Sequence, residues 1–343
     1  MGIRRVLSRY VRRSVRFPGY RFRSGKRFLT VRMDTTNVCN LRCGMCPMTL
    51  SDRDPDRRWH HMDPKLFDYL VQEIFPIAHT VGLSCGAEPF CNPDFAAFLK
   101  RLWKSDVPVR EVVTNGTLLD EKNIAILLET PPTSLFVSID GATPETHAII
   151  RGGADLDSII RSLGLLKEAM SSSGAVFPML SFSTTLQKRN CRELTGIVRL
   201  AASVGATSVG VVPLVPYEGL ATGGEVVDLM ENSVRMSVES AETLAATLGI
   251  LFNVARGPER KPGKACAYVD DCVYIDPDGR VNPCPYWNTA APMGDLNESS
   301  FEDIWNGSEY GELRTRLGSG QFTGNCALCP EMDGTVSADI PKI

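Results

Sequence analysis

TTNVCNLRCGMCPM, residues 35–48, sets Cys39, Cys43 and Cys46 in a C-x3-C-x2-C array. A tetrahedral structural zinc site takes four ligands, so three leave it incomplete. A disulfide framework wants paired cysteines and an oxidising compartment. Three thiolates in one loop suit a four-iron cubane that keeps one iron open for another molecule, since cysteine is the usual ligand of iron–sulfur clusters.

The rest of the chain agrees with an intracellular metalloprotein. Its 343 residues allow one large domain and a smaller one, and 43% hydrophobic with 22% charged residues is ordinary for a globular protein. Eleven cysteines, unevenly spaced, read as metal ligands rather than a secreted scaffold. No apolar run approaches the roughly 20 residues that cross a bilayer, and no signal peptide opens the chain. A cytoplasmic protein is therefore expected. The net charge of −3 hides a split: residues 1–28 carry ten Lys or Arg and no acid, leaving 27 basic against 40 acidic residues beyond them. Ile3, Val6, Leu7, Tyr10 and Val11 fall at helical spacing between the arginines. Two readings stand: a surface helix that meets anionic lipid, making the protein peripheral to the membrane, or a solvated arm lying on the acidic body. No base-stacking motif accompanies the charge, so nucleic acid is not expected.

From residue 28 short β-rich runs alternate with amphipathic stretches. FLTVRMDTT (28–36), HTVGLSCG (79–86), VREVVTNG (109–116), LFVSIDG (135–141), FPMLSFSTT (177–185) and TSVGVVPLV (207–215) read as strands. Helical patterns fall near 94–105, 119–129, 155–171, 190–204 and 223–248, and Asp63-Pro64 reads as the cap and first turn of another helix. Six strands with intervening helices predict a parallel sheet of the α/β class, an open (β/α)6 barrel short of the closed eight. Chemistry in such sheets collects at the C-terminal strand ends, where the cysteine loop sits. The predicted organisation is a basic segment 1–28, the partial barrel 29–222, a helical linker 223–258 and a small α+β unit 259–343. In that last unit, CVYIDPDGRVNPCPYW (272–287) reads as a hairpin turning at Asp278-Gly279. FEDIWNGSEYGELRTRL (301–317) reads as helical turns broken at Gly307 and Gly311.

The cysteine array resembles the hallmark C-x3-C-x-Φ-C of the radical S-adenosylmethionine (radical SAM) enzymes, with Met45 in the usually aromatic Φ place. Gly86, Ala87, Glu88 and Pro89 resemble that family's GGEP segment, which the resemblance implies holds the amino group of SAM. Thr114-Asn115-Gly116 and Ser138–Gly141 end the third and fourth strands in the order the family shows. The resemblance implies that Ser138 and Arg151 address the SAM carboxylate, with Asp140 near the ribose; an arginine fork matches a carboxylate. It spans about residues 29–217.

Cys266, Cys284, Cys326 and Cys329 resemble the SPASM/Twitch extension of these enzymes, in its shorter Twitch form with one auxiliary 4Fe–4S cluster. Zinc is the other reading of any four-cysteine set. Cys272 lies on the hairpin strand rather than ahead of it, so Cys266 is taken as the first ligand. Cys85, Cys91, Cys191 and Cys272 are left as small buried hydrophobes, except that Cys85 and Cys91 straddle GAEP and one of them could border the active site.

The implied cofactors are a SAM-binding 4Fe–4S cluster, a second auxiliary cluster and SAM itself. The implied chemistry is reductive cleavage of SAM to a 5′-deoxyadenosyl radical that removes a hydrogen atom from the substrate, fed by an external one-electron donor of flavodoxin or ferredoxin type. Tyr217 and Glu218, after the sixth strand, are the candidate catalytic acid–base residues. The Twitch-length tail resembles that of family members that dehydrogenate alcohols, which implies an oxidoreductase acting on a polar small molecule such as a sugar, aminocyclitol or nucleoside. The alternatives are a decarboxylase or lyase, a peptide- or protein-modifying maturase, and a lipid-directed enzyme; a non-catalytic iron–sulfur or zinc module is remote from the ordered motifs. With the cysteine loop beginning at residue 39, no leader-peptide-binding domain is expected ahead of the barrel, which weighs against a ribosomal-peptide maturase.

Overall fold

The computed structural model describes residues 27–51, 58–216, 219–255, 266, 268–287, 291–322, 326 and 329. The basic segment up to residue 26, Tyr217 and Glu218, the connector 256–265 and the tail from 330 lie outside the described residues. So do the expectations that rest on them.

Strands β1 (Leu29–Met33), β2 (Ala78–Leu83), β3 (Val109–Thr114), β4 (Ser134–Ser138), β5 (Met179–Leu186) and β6 (Ser208–Pro213) lie side by side in chain order, every pair parallel. This is the partial barrel that the alternating pattern predicts. Parallel neighbours need crossovers, and the intervening segments supply helices that cover the outer face. On β1 the alternation is visible residue by residue: Leu29, Val31 and Met33 are wholly buried beneath the helices, while Thr30 and Arg32 face the other way, into the barrel.

The helices start where side chains can cap them. Asp63 accepts the Lys65 backbone N–H at 2.7 Å ahead of the helix Pro64–Tyr69, and Asp120 and Asp155 cap Glu121–Glu129 and Leu156–Ser173 in the same way. Under β1 and β2 the outer layer is aromatic: Phe67 stacks on Phe98 with ring centres 4.2 Å apart and meets Phe75 edge-on.

The sheet extends beyond the six expected strands at both ends. The segment read as a helical linker holds the helix Asn232–Leu248 and then β7 (Leu251–Val254), which pairs parallel with β6. Four residues with exposed Leu251 at their head carry too little alternation to read as a strand. At the other end, β8 (Cys272–Ile275) pairs parallel with β1, and β9 (Arg280–Asn282) and β10 (Gly294–Asp295) follow antiparallel. The hairpin turns at Asp278-Gly279, with Gly279 at φ +91°, where a Cβ would be strained. It continues the barrel's sheet rather than forming one of its own. Beyond it, Phe301–Asn306 and Ser308–Gly318 are two helices that break at Gly307 alone. A Cβ at Gly307 would stand 2.9 Å from the Asp303 carbonyl, whereas Gly311 meets nothing and stays helical.

Phe67→Ala removes a wholly buried ring from two aromatic contacts and should cost about 3–5 kcal/mol, read as a lowered midpoint of chemical denaturation.

Candidate active site

Parallel strands deliver their following loops to one edge, and here four of those loops meet. After β1 the chain runs through Asp34, Thr35 and Thr36 into the cysteine loop. The Cys46 N–H donates to the Cys43 carbonyl at 3.1 Å and the Thr49 hydroxyl to the same carbonyl at 2.8 Å, closing the loop into the helical turn Met48–Ser51. Burial pushes all three thiols above their ordinary value, and burial together with the neighbouring sulfurs takes Cys46 to about 11. The Arg151 guanidinium draws Cys43 back down through its charge and a hydrogen bond. Gly152, at φ +60°, abuts the loop from below: a Cβ there would lie 2.6 Å from the Arg42 carbonyl oxygen.

Glu88 joins the loops after β2 and β3. It is 1% exposed, and its carboxylate accepts the Thr114 hydroxyl at 2.8 Å and the N–H groups of Asn115 at 2.7 Å and Phe90 at 3.3 Å. Its own N–H donates to Val38 of the cysteine loop at 3.3 Å, and the Asn115 amide donates to Asn40 at 2.9 Å. Burial lifts the Glu88 carboxyl to about 7, against those hydrogen bonds. Pro89 is buried at the first position of the short helix Pro89–Cys91, which Glu88 caps.

The loop after β4 is tied just as closely. Asp140 has no exposed surface: one carboxylate oxygen accepts the Thr185 N–H at 2.6 Å and the other the Arg151 Nε at 2.5 Å. Burial works against the Arg151 charge, yet Asp140 and Cys43 hold its pKa above the ordinary value. Asp140 was expected near a ribose. In the structure each of its oxygens accepts from a protein donor, and through Oδ2 it orients Arg151 toward Cys43. Ser138 ends β4, paired with Ser183, and Met45 is half-buried beside the cysteines.

In the C-terminal unit a pocket is lined by Cys266, Cys284, Cys326 and Cys329, with Tyr286, Trp287 and Leu317 around them. Burial pushes Cys284 up to about 12, and the other three sulfurs add to it. Cys272 is not in this pocket; it is buried on β8 against β1, as a small hydrophobe would be. Cys191 is buried too, but Cys85 and Cys91 are not. Cys91 lies near Glu88 and Cys39, while the Cys85 thiol, among Asp34, Arg32 and Glu111, is raised to about 12 by burial although the residue as a whole touches solvent.

The donor chemistry fits the implied groups. Both sets are sulfur alone, which suits iron–sulfur clusters. Among the described residues no three His, Cys, Asp or Glu are gathered tightly enough for one metal ion, whereas a cubane spreads its thiolates over separate irons. Glu88 is a buried carboxylate with hydrogen-bond donors and, among the described residues, no salt-bridge partner, although the Arg151 charge lowers its pKa somewhat. Such a carboxylate suits an ammonium ligand.

Sequence reading missed Asp34, Asn40, Arg32 and Glu111, and gave Thr114 only as the first residue of its motif. Arg32 on β1 crosses over Gly82 on β2 to pair with Glu111 on β3 inside the barrel, and a Cβ at Gly82 would stand 2.8 Å from the Arg32 Nη1. A charge alternating with wholly apolar residues in LTVRM was the available signal.

Comparison with known proteins accords with this geometry. The radical SAM superfamily model matches residues 33–189, and that of the SPASM iron–sulfur cluster-binding domain matches residues 266–330. The chain belongs to the SPASM-containing radical SAM enzymes, whose two domains take SAM and two 4Fe–4S clusters. It is 28% identical over 319 residues to the AdoMet-dependent heme synthase of Methanosarcina barkeri, covering 86% of each chain. It is 26% identical over 313 residues to the mycofactocin maturase MftC of Mycobacterium tuberculosis, covering 88% of this chain and 75% of that one. The crystal structure of Streptococcus suis SuiB bound to S-adenosylmethionine superposes with a TM-score of 0.71 at 15% identity, over 90% of this chain and 76% of that one. Among the described residues no helix is long and apolar enough to cross a membrane.

Gly152→Ala should force the Arg42 backbone and the cysteine loop apart, lowering iron bound per chain after anaerobic reconstitution; unchanged iron would show that the loop tolerates the shift.

Proposed function

We propose that the protein is a radical SAM maturase that acts on a peptide or protein substrate. The observation that carries this is the alignment with MftC maturases through both the barrel and the auxiliary unit. The sugar or aminocyclitol substrate implied by the tail length finds no support among the relatives aligned over most of the chain, so it gives way to the maturase alternative. The barrel interior leaves room for a substrate. Ser134 and Ser138 on β4, Ser181 and Ser183 on β5, and Ser208 and Gly210 on β6 alternate with buried apolar residues, so these small side chains share the inward face with the larger Phe136 and Val212.

When bound, the cluster of Cys39, Cys43 and Cys46 supplies the electron that cleaves SAM, and the resulting radical takes a hydrogen atom from the substrate. The chain's part is placement. Glu88 receives the SAM ammonium, and Arg151, braced by Asp140, offers its guanidinium to the carboxylate, with Ser138 beside it. Cys266, Cys284, Cys326 and Cys329 hold the auxiliary cluster. The loop leaving β6 leads to Tyr217 and Glu218, which we assign to proton handling.

One observation favours a second reading: the higher identity to a heme synthase, over a matching length. A single assay separates the two. The reconstituted enzyme is given SAM and dithionite with synthetic copies of short peptides encoded beside its gene, or with an iron-porphyrin precursor. The maturase reading expects 5′-deoxyadenosine matched by a peptide of altered mass. Conversion of the iron-porphyrin to a product of altered mass, with unaltered peptides, would overturn it.

The Glu88 assignment also sets a pH dependence. A carboxyl with a pKa near 7 is ionised above that pH, and an ammonium binds only the ionised form. SAM affinity should therefore fall as pH drops from 7 to 5.5, by up to about tenfold per unit. In Glu88→Gln it should be weak and flat across that window, as measured by equilibrium dialysis.

A further inference from the structure

Two carboxylates hold the loop after β2, and the assignments above use only Glu88. The other is Asp34, the residue following β1, which is 4% exposed. Its Oδ1 accepts the backbone N–H groups of Cys85 at 2.7 Å, Gly86 at 2.9 Å and Ala87 at 3.4 Å. Its Oδ2 accepts Gly86 again at 3.1 Å and the Tyr274 hydroxyl at 2.6 Å. Burial raises the pKa of this carboxyl, and these partners, all donors, work against that by favouring the ionised form.

The chain wraps this anion tightly. Ser84 adopts φ +104°, rare for a residue with a side chain; its N–H donates to the Met33 carbonyl and its hydroxyl to the Ala87 carbonyl, each at 2.7 Å. A Cβ on Gly86 would stand 3.1 Å from the Asp34 Oδ2, so glycine permits the approach. In a trans peptide the C=O opposes the N–H. Turning the N–H groups of Gly86 and Ala87 toward Asp34 therefore directs the carbonyls of Cys85 and Gly86 away from it.

Tyr274 reaches Asp34 from a different part of the chain. It lies on β8 opposite Arg32 of β1, ten residues before Cys284. The hairpin that leads to the auxiliary pocket thus supplies one of the donors on which the Asp34 carboxylate rests.

We propose that Asp34 and Tyr274 are positioning residues for SAM: the carboxylate, oriented by the phenol, sets the peptide units of residues 85–87 so that their carbonyls and Glu88 converge on the ammonium. The shape of the SAM loop then depends on the C-terminal hairpin. This rests on the assignment of residues 86–89 to the ammonium and is independent of whether the substrate is a peptide.

The test is SAM binding to the reconstituted full chain by equilibrium dialysis, with iron per chain measured alongside. Tyr274→Phe should weaken SAM binding about tenfold, the size expected for one hydrogen bond to a charged group, with iron unchanged. The KM for SAM should rise, while kcat at saturating SAM stays within about twofold, as expected for lost binding rather than lost chemistry. Asp34→Asn should weaken binding at least as much, and adding Tyr274→Phe to it should weaken binding no further, because the phenol acts through that carboxylate. Should Asp34→Asn fail to fold, Tyr274→Phe alone decides. SAM binding by Tyr274→Phe within twofold of the unaltered protein overturns the proposal. Glu88→Gln separates the two ideas: if it binds SAM normally, the loop assignment itself fails, and if it is weakened while Tyr274→Phe is not, only the bracing fails.

Discussion

Burial drives a carboxylate toward protonation, and Glu88 offsets this in part by recruiting donors from two strands' loops, which leaves its pKa at about 7. The Thr114 hydroxyl and the Asn115 N–H come from the end of β3, and Phe90 from the turn that Glu88 itself caps. Asn115 passes the constraint on to Asn40, one residue beyond Cys39. The cysteine loop, the loop after β2 and the end of β3 are thereby fixed together around one desolvated charge. The site is a consequence of satisfying that charge.

Arg151 plays the matching part on the far side. Its Nε is held by Asp140, whose second oxygen binds the start of the segment after β4 to Thr185 on β5. The guanidinium then stands beside Cys43 as the nearest fixed positive charge. Negative charge on the thiolates and on a cluster is what such a cation would offset. Two charged side chains of opposite sign, Glu88 and Arg151, are thus tied to the surroundings of the cysteine loop, each held by residues of neighbouring strands.

Much of this was legible in the sequence. The six central strands announce themselves through β-branched runs, and the cysteine spacing, GAEP, TNG and SIDG fall at their ends. Asp63, Asp120 and Asp155 cap helices as their positions suggest. Harder to read were β7 and β8, because four-residue strands borrow their identity from the neighbour they pair with. Asp34 was invisible for another reason. An acid at the end of a strand looks like a solvated loop residue until the fold brings three N–H groups and a phenol, 240 residues away, to meet it. The substrate was the least legible feature. The inward positions of β4 to β6 are largely serines and a glycine, and small residues carry little signal singly.

Gly82 has an evolutionary corollary. Its missing side chain leaves the space that Arg32 crosses to reach Glu111, so a larger residue there would press on the Arg32 guanidinium and make it shift. Positions 32, 82 and 111 therefore form an epistatic trio. A side chain added at 82 is accommodated by moving Arg32, and what Glu111 then meets depends on where the guanidinium goes.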